Sequence, residues 1–257
     1  MNLHSTTHAL WSLVVALSLI SCGSYRASVT KSQGFLIPVD STWDAKADQS
    51  ITSQISTYKS QIEQIMNKPI GKASTTLRVF QPESPLSNLT ADMLKSVTSK
   101  FLGKPVDMGV INLGGLRTTL TEGVITVGNI YEIFPFENTV IILTLKGEDV
   151  QHLFEEMAFR GGEGISGAQL VITKKGKLKN CTINGKPIDP KAEYTIGTID
   201  YLAEGNDGMG SFRKAVKRQD LPDALLRDVF MNYVKEQNAQ GKSITSQCDN
   251  RVKVVSE

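Results

Sequence analysis

The run Thr139, Val140, Ile141, Ile142, Leu143, Thr144, Leu145 constrains this chain more than any other feature. An unbroken β-branched and apolar stretch of this length reads as a strand covered on both faces, so it belongs in the middle of a sheet. Two amphipathic segments can supply the cover. Residues 146–160 place Val150, Leu153, Phe154, Met157 and Ala158 on one face, with Gly161 and Gly162 closing the helix. Ser84-Pro85 opens another, with Leu86, Leu89, Met93, Leu94, Val97 and Phe101 at helical spacing and Gly103 just past its end. Strand patterns at residues 75–80, 106–112, 169–173, 178–183 and 194–198, with Lys-Gly and Asn-Gly turns, alternate with these. Ile51, Ile55, Tyr58, Ile62, Ile65 and Met66 predict a further helix over residues 48–66, and residues 222–235 read as the last one. The expected class is α+β, a mixed sheet with helices packed on both faces.

The start of the chain has a different character. An apolar run over residues 9–20 is too short to cross a bilayer and has the length of a signal-peptide core. It ends in Leu19-Ile20-Ser21-Cys22, which resembles a bacterial lipobox, although the preceding residues carry His4 and His8 and no Lys or Arg. The expectation is a lipoprotein signal peptide over residues 1–21, with Cys22 lipidated and the protein held at the periplasmic face of a bacterial membrane. Residues 22–47 read as a Ser/Thr-rich tether with a short strand at GFLIPV, and the domain runs from 48 to 257. Cys181 and Cys248 are left over; a disulfide and two separate thiols are both open.

The formal net charge is only +2, with both signs scattered, so no footprint for a nucleic-acid polymer exists. Beyond the signal segment His152 is the one histidine, placed within an amphipathic helix and read as a solvent-edge residue. A two-metal hydrolytic site needs a cluster of His and carboxylate ligands around ions about 3.5–4 Å apart. The sequence offers no such cluster, no nucleophile elbow and no Cys-His pair, so no catalytic or metal-ligating residue and no cofactor is expected.

Chemistry concentrates in three stretches where glycine or polar residues follow apolar, strand-like ones. In VINLGGLR, Asn112 offers a donor and an acceptor, Gly114 and Gly115 permit close approach to the backbone, and Arg117 adds a guanidinium. The others are FPFEN, with Phe136 and Asn138, and YLAEGNDG, with Tyr201 and Asp207. By themselves Phe136 and Tyr201 would read as packing aromatics and Asp207-Gly208 as a turn. In this order and spacing, the three stretches resemble the ligand-gripping loops of the C-terminal domain of bacterial and animal 5′-nucleotidases, over residues 70–235.

That resemblance implies a role for each position. Phe136 and Tyr201 match the two rings that sandwich the nucleobase, Asn112 and Asn138 residues facing its edge, Asp207 the acceptor of ribose hydroxyls, and Arg117 the cation near ribose and phosphate. Glu83, Asn88 and Asp92 fit the signature around the second helix, but Pro82 stands where the family carries a ligand-contacting Arg. Glu137 and Asn206 replace glycines. The family's catalytic domain, a metallophosphoesterase with two metal ions, is not in this sequence. The implied partners are a nucleotide or nucleoside and a separately encoded metallophosphoesterase that would hold the divalent metals, making this chain the recognition half of a split periplasmic 5′-nucleotidase. A nucleoside-binding lipoprotein acting alone, and a structural domain without a ligand, are the rival readings.

Overall fold

The computed structural model describes residues 27–256, so Cys22 and the signal segment lie outside the described residues. By compactness the chain divides into residues 1–52 and 53–257. In the first unit, residues 27–39 carry no regular structure, and the short strand expected at GFLIPV is absent there. The residues from Phe35 to Val39 have no partner strand among the described residues to satisfy their backbone, and Phe35 and Leu36 are exposed. A 3-10 helix, Ser41–Lys46, follows, its first turn held by the Asp40 carboxylate, which accepts from the Thr42 N–H at 2.9 Å.

Helix α1, Gln49–Met66, forms where its periodicity predicts, yet Ile51, Ile55, Tyr58, Ile62 and Ile65 are all exposed. The chain then enters β1, Pro69–Ala73, some residues before the predicted strand at 75–80. Of that predicted strand only a bridge between Leu77 and Leu120 exists. Glycine in PIGKA concealed the real strand: Gly71 lies against Val234, where a Cβ would come within 2.6 Å of the valine methyl.

Helix α2, Pro85–Leu102, is bounded as its sequence demands. Ser84 and Ser87 form a capping box, Pro85 occupies the first turn, and Gly103 ends the helix at φ +67°. Leu86, Leu89, Met93 and Leu94 are buried, whereas Phe101 is exposed. β2, Met108–Ile111, β3, Gly123–Thr126, and α3, Val127–Ile133, lead to β4, Thr139–Lys146. Next come α4, Gly147–Phe159, β5, Gly164–Ser166, β6, Ala168–Thr173, β7, Leu178–Ile183, and β8, Glu193–Ile199. A single helical turn, α5, Asp200–Ala203, precedes β9, Lys217–Leu225; α6, Leu226–Ala239, and β10, Val252–Val255, end the fold.

The fold is α+β, with its strands distributed over three sheets rather than one. The main sheet has the order β5-β2-β8-β4-β9, mixed because β2 and β8 are parallel and the other pairs antiparallel. β10-β6-β7 and β1-β3 form two smaller sheets. β4 pairs on both sides and buries Val140, Ile141, Ile142, Leu143 and Leu145. Helix α2 reaches the main sheet closely because Gly109 and Gly197 carry no side chain under it. A Cβ at Gly109 would meet the Ala91 carbonyl, and one at Gly197 would sit 2.5 Å from Thr98 Oγ1. The last helix starts at Leu226, not at Pro222. Pro222 lies in β9, an edge strand, where the register with β4 jumps from Leu221 to Leu225; a bulge on an edge tolerates a residue without an N–H.

Cys181 and Cys248 are separate thiols, buried and exposed respectively. Cys181 donates to Gln151 Oε1 at 3.3 Å, while Cys248 stands 3.6 Å from the Glu83 carbonyl oxygen, in another part of the domain. Burial pushes both thiols above their ordinary pKa. Among the described residues no helix is long and apolar enough to cross a membrane.

Candidate functional site

The VINLGGLR loop begins where β2 ends. Leu113–Gly115 makes one 3-10 turn, and a Cβ at Gly115 would come within 2.8 Å of Asn112 Oδ1. The loop is tied down twice, by the Arg117 N–H donating to the Ile133 carbonyl at 3.0 Å and by Arg117 Nη1 donating to the Gly114 carbonyl at 3.1 Å. Phe136 and Asn138 sit between α3 and β4, with the Asn138 carbonyl accepting from the Leu226 N–H at 2.8 Å. Tyr201 lies in α5 at the end of β8. Asp207 follows in a turn with φ +54°, and Gly208 takes φ +72°. Asp tolerates the left-handed region better than most residues, and the Asn206 amide braces this turn by donating to the Tyr201 carbonyl at 2.9 Å.

These loops meet at one end of the central strands, where β2 and β8 finish and β4 begins. All eight residues singled out in the sequence line a single cleft of about 410 Å³. Asn112 Nδ2 donates to Asp207 Oδ2 at 2.7 Å, and the Tyr201 hydroxyl donates to Asp207 Oδ1 at 3.1 Å. That hydrogen bond and the carboxylate's charge hold the Tyr201 phenol above its ordinary pKa. Asn112 Oδ1 is buried without a hydrogen-bond partner among the described residues. The Phe136 ring is 51% exposed and that of Tyr201 41%, so neither is a core aromatic. The Arg117 guanidinium stands 6.0 Å from the Phe136 ring centroid, at the limit of cation-π range. Glu137 and Asn206 do not line the cleft: Glu137 faces solvent 4.0 Å from Arg227.

Two residues here were not singled out in the sequence. Arg160, just past α4, donates from Nε to Glu163 Oε1 at 2.6 Å, and its Nη2 lies 3.6 Å from Asp207 Oδ2. Glu163 is buried, and its other oxygen accepts from the Leu113 N–H at 2.7 Å. Burial raises the Glu163 carboxyl above its ordinary pKa, opposed by the Leu113 N–H and by Arg160. The available signal was a charged residue on either side of Gly161-Gly162, glycines that bring both side chains to one place at φ +85° and +105°. Gln81 and Pro82 hold this segment: Gln81 Nε2 donates to the Arg160 carbonyl at 2.6 Å, and Gly162 packs against the Pro82 carbonyl, where a Cβ would not fit.

The acidic and amide residues around α2 serve the fold instead. Glu83 accepts from Asn88 Nδ2 and the Asp249 N–H, both at 2.7 Å, and from the Val252 N–H at 3.3 Å. Asp92 takes both Nη groups of Arg251, at 2.7 and 2.8 Å. Together they fasten the C-terminal segment to α2. His152 is exposed, with Nδ1 3.2 Å from the Glu155 carboxylate. Among the described residues no group of three or more His, Cys, Asp or Glu stands close enough to hold a metal ion, so the residues present do not fit a two-metal centre.

Comparison with known proteins gives a consistent picture. The family model for the C-terminal domain of 5′-nucleotidase matches residues 61–217. Cell wall protein Lmo0130 of Listeria monocytogenes is 29% identical over 78% of this chain and 29% of its own length. The corresponding figures are 28%, 77% and 39% for an apyrase of Aedes aegypti, and 25%, 72% and 36% for a probable 5′-nucleotidase of Treponema pallidum. The chain thus spans between 29% and 39% of the length of these relatives. A crystal structure of a 5′-nucleotidase precursor from Thermus thermophilus superposes with a TM-score of 0.69 at 25% identity, covering 80% of this chain and 43% of that one.

Proposed function

The chain belongs to the family of 5′-nucleotidase C-terminal domains, and from that premise we propose that its cleft receives the nucleoside part of a nucleotide. Phe136 and Tyr201 stack on the two faces of the base, and Asn112 and Asn138 meet its edge. Asp207 accepts hydrogen bonds from the ribose hydroxyls, and Arg117 stands toward the ribose and phosphate. Gly114 and Gly115 leave the backbone open to the ligand. One observation carries the reading: two half-exposed rings, a guanidinium and a carboxylate, from three separate loops, converge on one cleft of about 410 Å³. That size suits a small ligand.

In this proposal hydrolysis falls to a separately encoded metallophosphoesterase, which holds the divalent metals and meets the nucleotide that this chain presents. The described residues contribute recognition, orientation and exclusion of water from the base. The purified chain is therefore expected to show no chelator-sensitive release of phosphate from AMP by itself. A phosphate-release assay with and without chelator checks this, and turnover that persists through repurification and vanishes with chelator contradicts it.

In this proposal the protein is held at the periplasmic face of a bacterial membrane, anchored through Cys22. Cys22→Ala is expected to abolish incorporation of a labelled fatty acid in cells, because the thiol is the group that carries the lipid. Equal label in wild type and variant would remove the anchor from the account.

A further inference from the structure

Asp207 belongs to two hollows. Besides the cleft, it lines an adjoining groove of about 650 Å³, together with Arg160, Arg213 and Lys214. Arg160 spends one donor on Glu163, and its Nη2 at 3.6 Å from Asp207 is too far for a hydrogen bond. Its side chain is 32% exposed, so its Nη groups have donors to offer. Glu163, fixed in turn by the Leu113 N–H, holds that guanidinium in place. Arg213 donates to the Glu204 carbonyl at 3.3 Å and lies over Gly205, where a Cβ would come within 2.5 Å of its Nη1. Lys214 pairs with Asp149 at 3.1 Å.

Carboxylates also face this groove, and of Glu155, Glu156 and Asp207 the last two have both oxygens engaged. Both oxygens of Glu156 accept from the Ser211 N–H, at 3.1 and 3.2 Å, and Glu155 stands beside His152. Asp207 already accepts from Asn112 and Tyr201. What the groove has to spare is guanidinium donors, which in a concave setting suit an oxyanion that can offer two oxygens at once.

The identity of the anion depends on the nucleoside reading of the cleft. If Asp207 faces the ribose hydroxyls, a ligand group that continues past Asp207 into the groove is carried on the ribose 2′ or 3′ oxygen. We propose that the groove is a second anion subsite, taken by a phosphate on that side of the ribose. Nucleotides with a 2′- or 3′-phosphate in addition to the 5′-phosphate then span both hollows, with the Nη groups of Arg160 donating to the added phosphate.

Calorimetric titration of the wild-type chain with AMP, adenosine 3′,5′-bisphosphate and inorganic phosphate tests this. The bisphosphate is expected to bind about tenfold more tightly than AMP, an advantage inorganic phosphate cannot mimic at the same concentration. Arg160→Gln should cut that advantage to about threefold or less. Arg213→Ala, which leaves the Arg160-Glu163 pair intact, should reduce it while changing AMP affinity by less than about twofold. Bisphosphate binding equal to or weaker than that of AMP, or a preference that survives both variants, would overturn the subsite and leave the nucleoside cleft standing. Absence of heat with every nucleotide would overturn both.

Discussion

Glu83→Ala is expected to lower the free energy of unfolding by about 3–5 kcal/mol, more than any single change in the ligand cleft. Glu83 is 5% exposed and accepts from three donors that belong to different parts of the chain: the Asn88 side chain in α2 and the Asp249 and Val252 N–H groups near the C-terminus. Removing the carboxylate leaves the two backbone N–H groups without their acceptor, at about 1–3 kcal/mol each where water cannot reach them, while Asn88 Nδ2 keeps the Gln247 carbonyl at 3.0 Å. The neighbouring pair of Arg251 and Asp92 does not compensate, because its hydrogen bonds are already made. Loosening the C-terminal segment also undermines β10, which pairs with β6 in parallel register. Urea unfolding of wild type and variant measures the loss; a difference under about 1 kcal/mol would show that water replaces the carboxylate without cost.

Phe136→Ala and Tyr201→Ala are each expected to weaken binding of adenosine or AMP by about 1–3 kcal/mol, with little change in melting temperature. The exposures of the two rings, 51% and 41%, separate this from a packing role. A buried aromatic truncated to alanine costs about 3–5 kcal/mol of stability; rings half in water have far less transfer energy to lose. Tyr201→Ala also frees Asp207 Oδ1, so Tyr201→Phe distinguishes the ring from the hydroxyl. If stacking dominates, Tyr201→Phe retains most of the affinity. Calorimetry and thermal melts on the three variants decide between the readings: unchanged affinity together with a large fall in melting temperature would identify the rings as packing residues.

Much of the fold was legible because local and global signals agree. The β-branched run of β4 pairs on both sides, and the capping box, Pro85 and Gly103 bound α2 where the sequence places them. The errors have physical causes. In β9, Pro222 and the charges of KRQDLPDAL imitate the opening of a helix, and only the partner strand β4 and the bulge make an edge strand of it. β1 escaped notice because Gly71 trades a side chain for close packing against α6, while residues 75–80 have strand-like composition but make only the bridge at Leu77. Sequence pattern cannot say how many sheets a set of strands will form, since that depends on long-range pairing.

In the site, the residues on the three glycine- and aromatic-bearing loops could be named from sequence and fall on one cleft. Arg160 and Glu163 could not, because in sequence they read as the end of a helix. Only the left-handed glycines between them, and the burial of Glu163 against the Leu113 N–H, turn them into a brace joining two loops. Gln81 and Pro82 hold the backbone that carries Arg160, whose Nη2 stands 3.6 Å from Asp207 Oδ2.

Titration calorimetry of AMP into the wild-type chain measures nucleotide binding itself. Saturable heat is expected, with a stoichiometry near one and a dissociation constant below about 1 mM, since stacking supplies several kcal/mol. No detectable heat with any nucleoside or nucleotide at millimolar concentration, from protein that melts cooperatively, would contradict it and leave a domain that has kept the fold without the ligand.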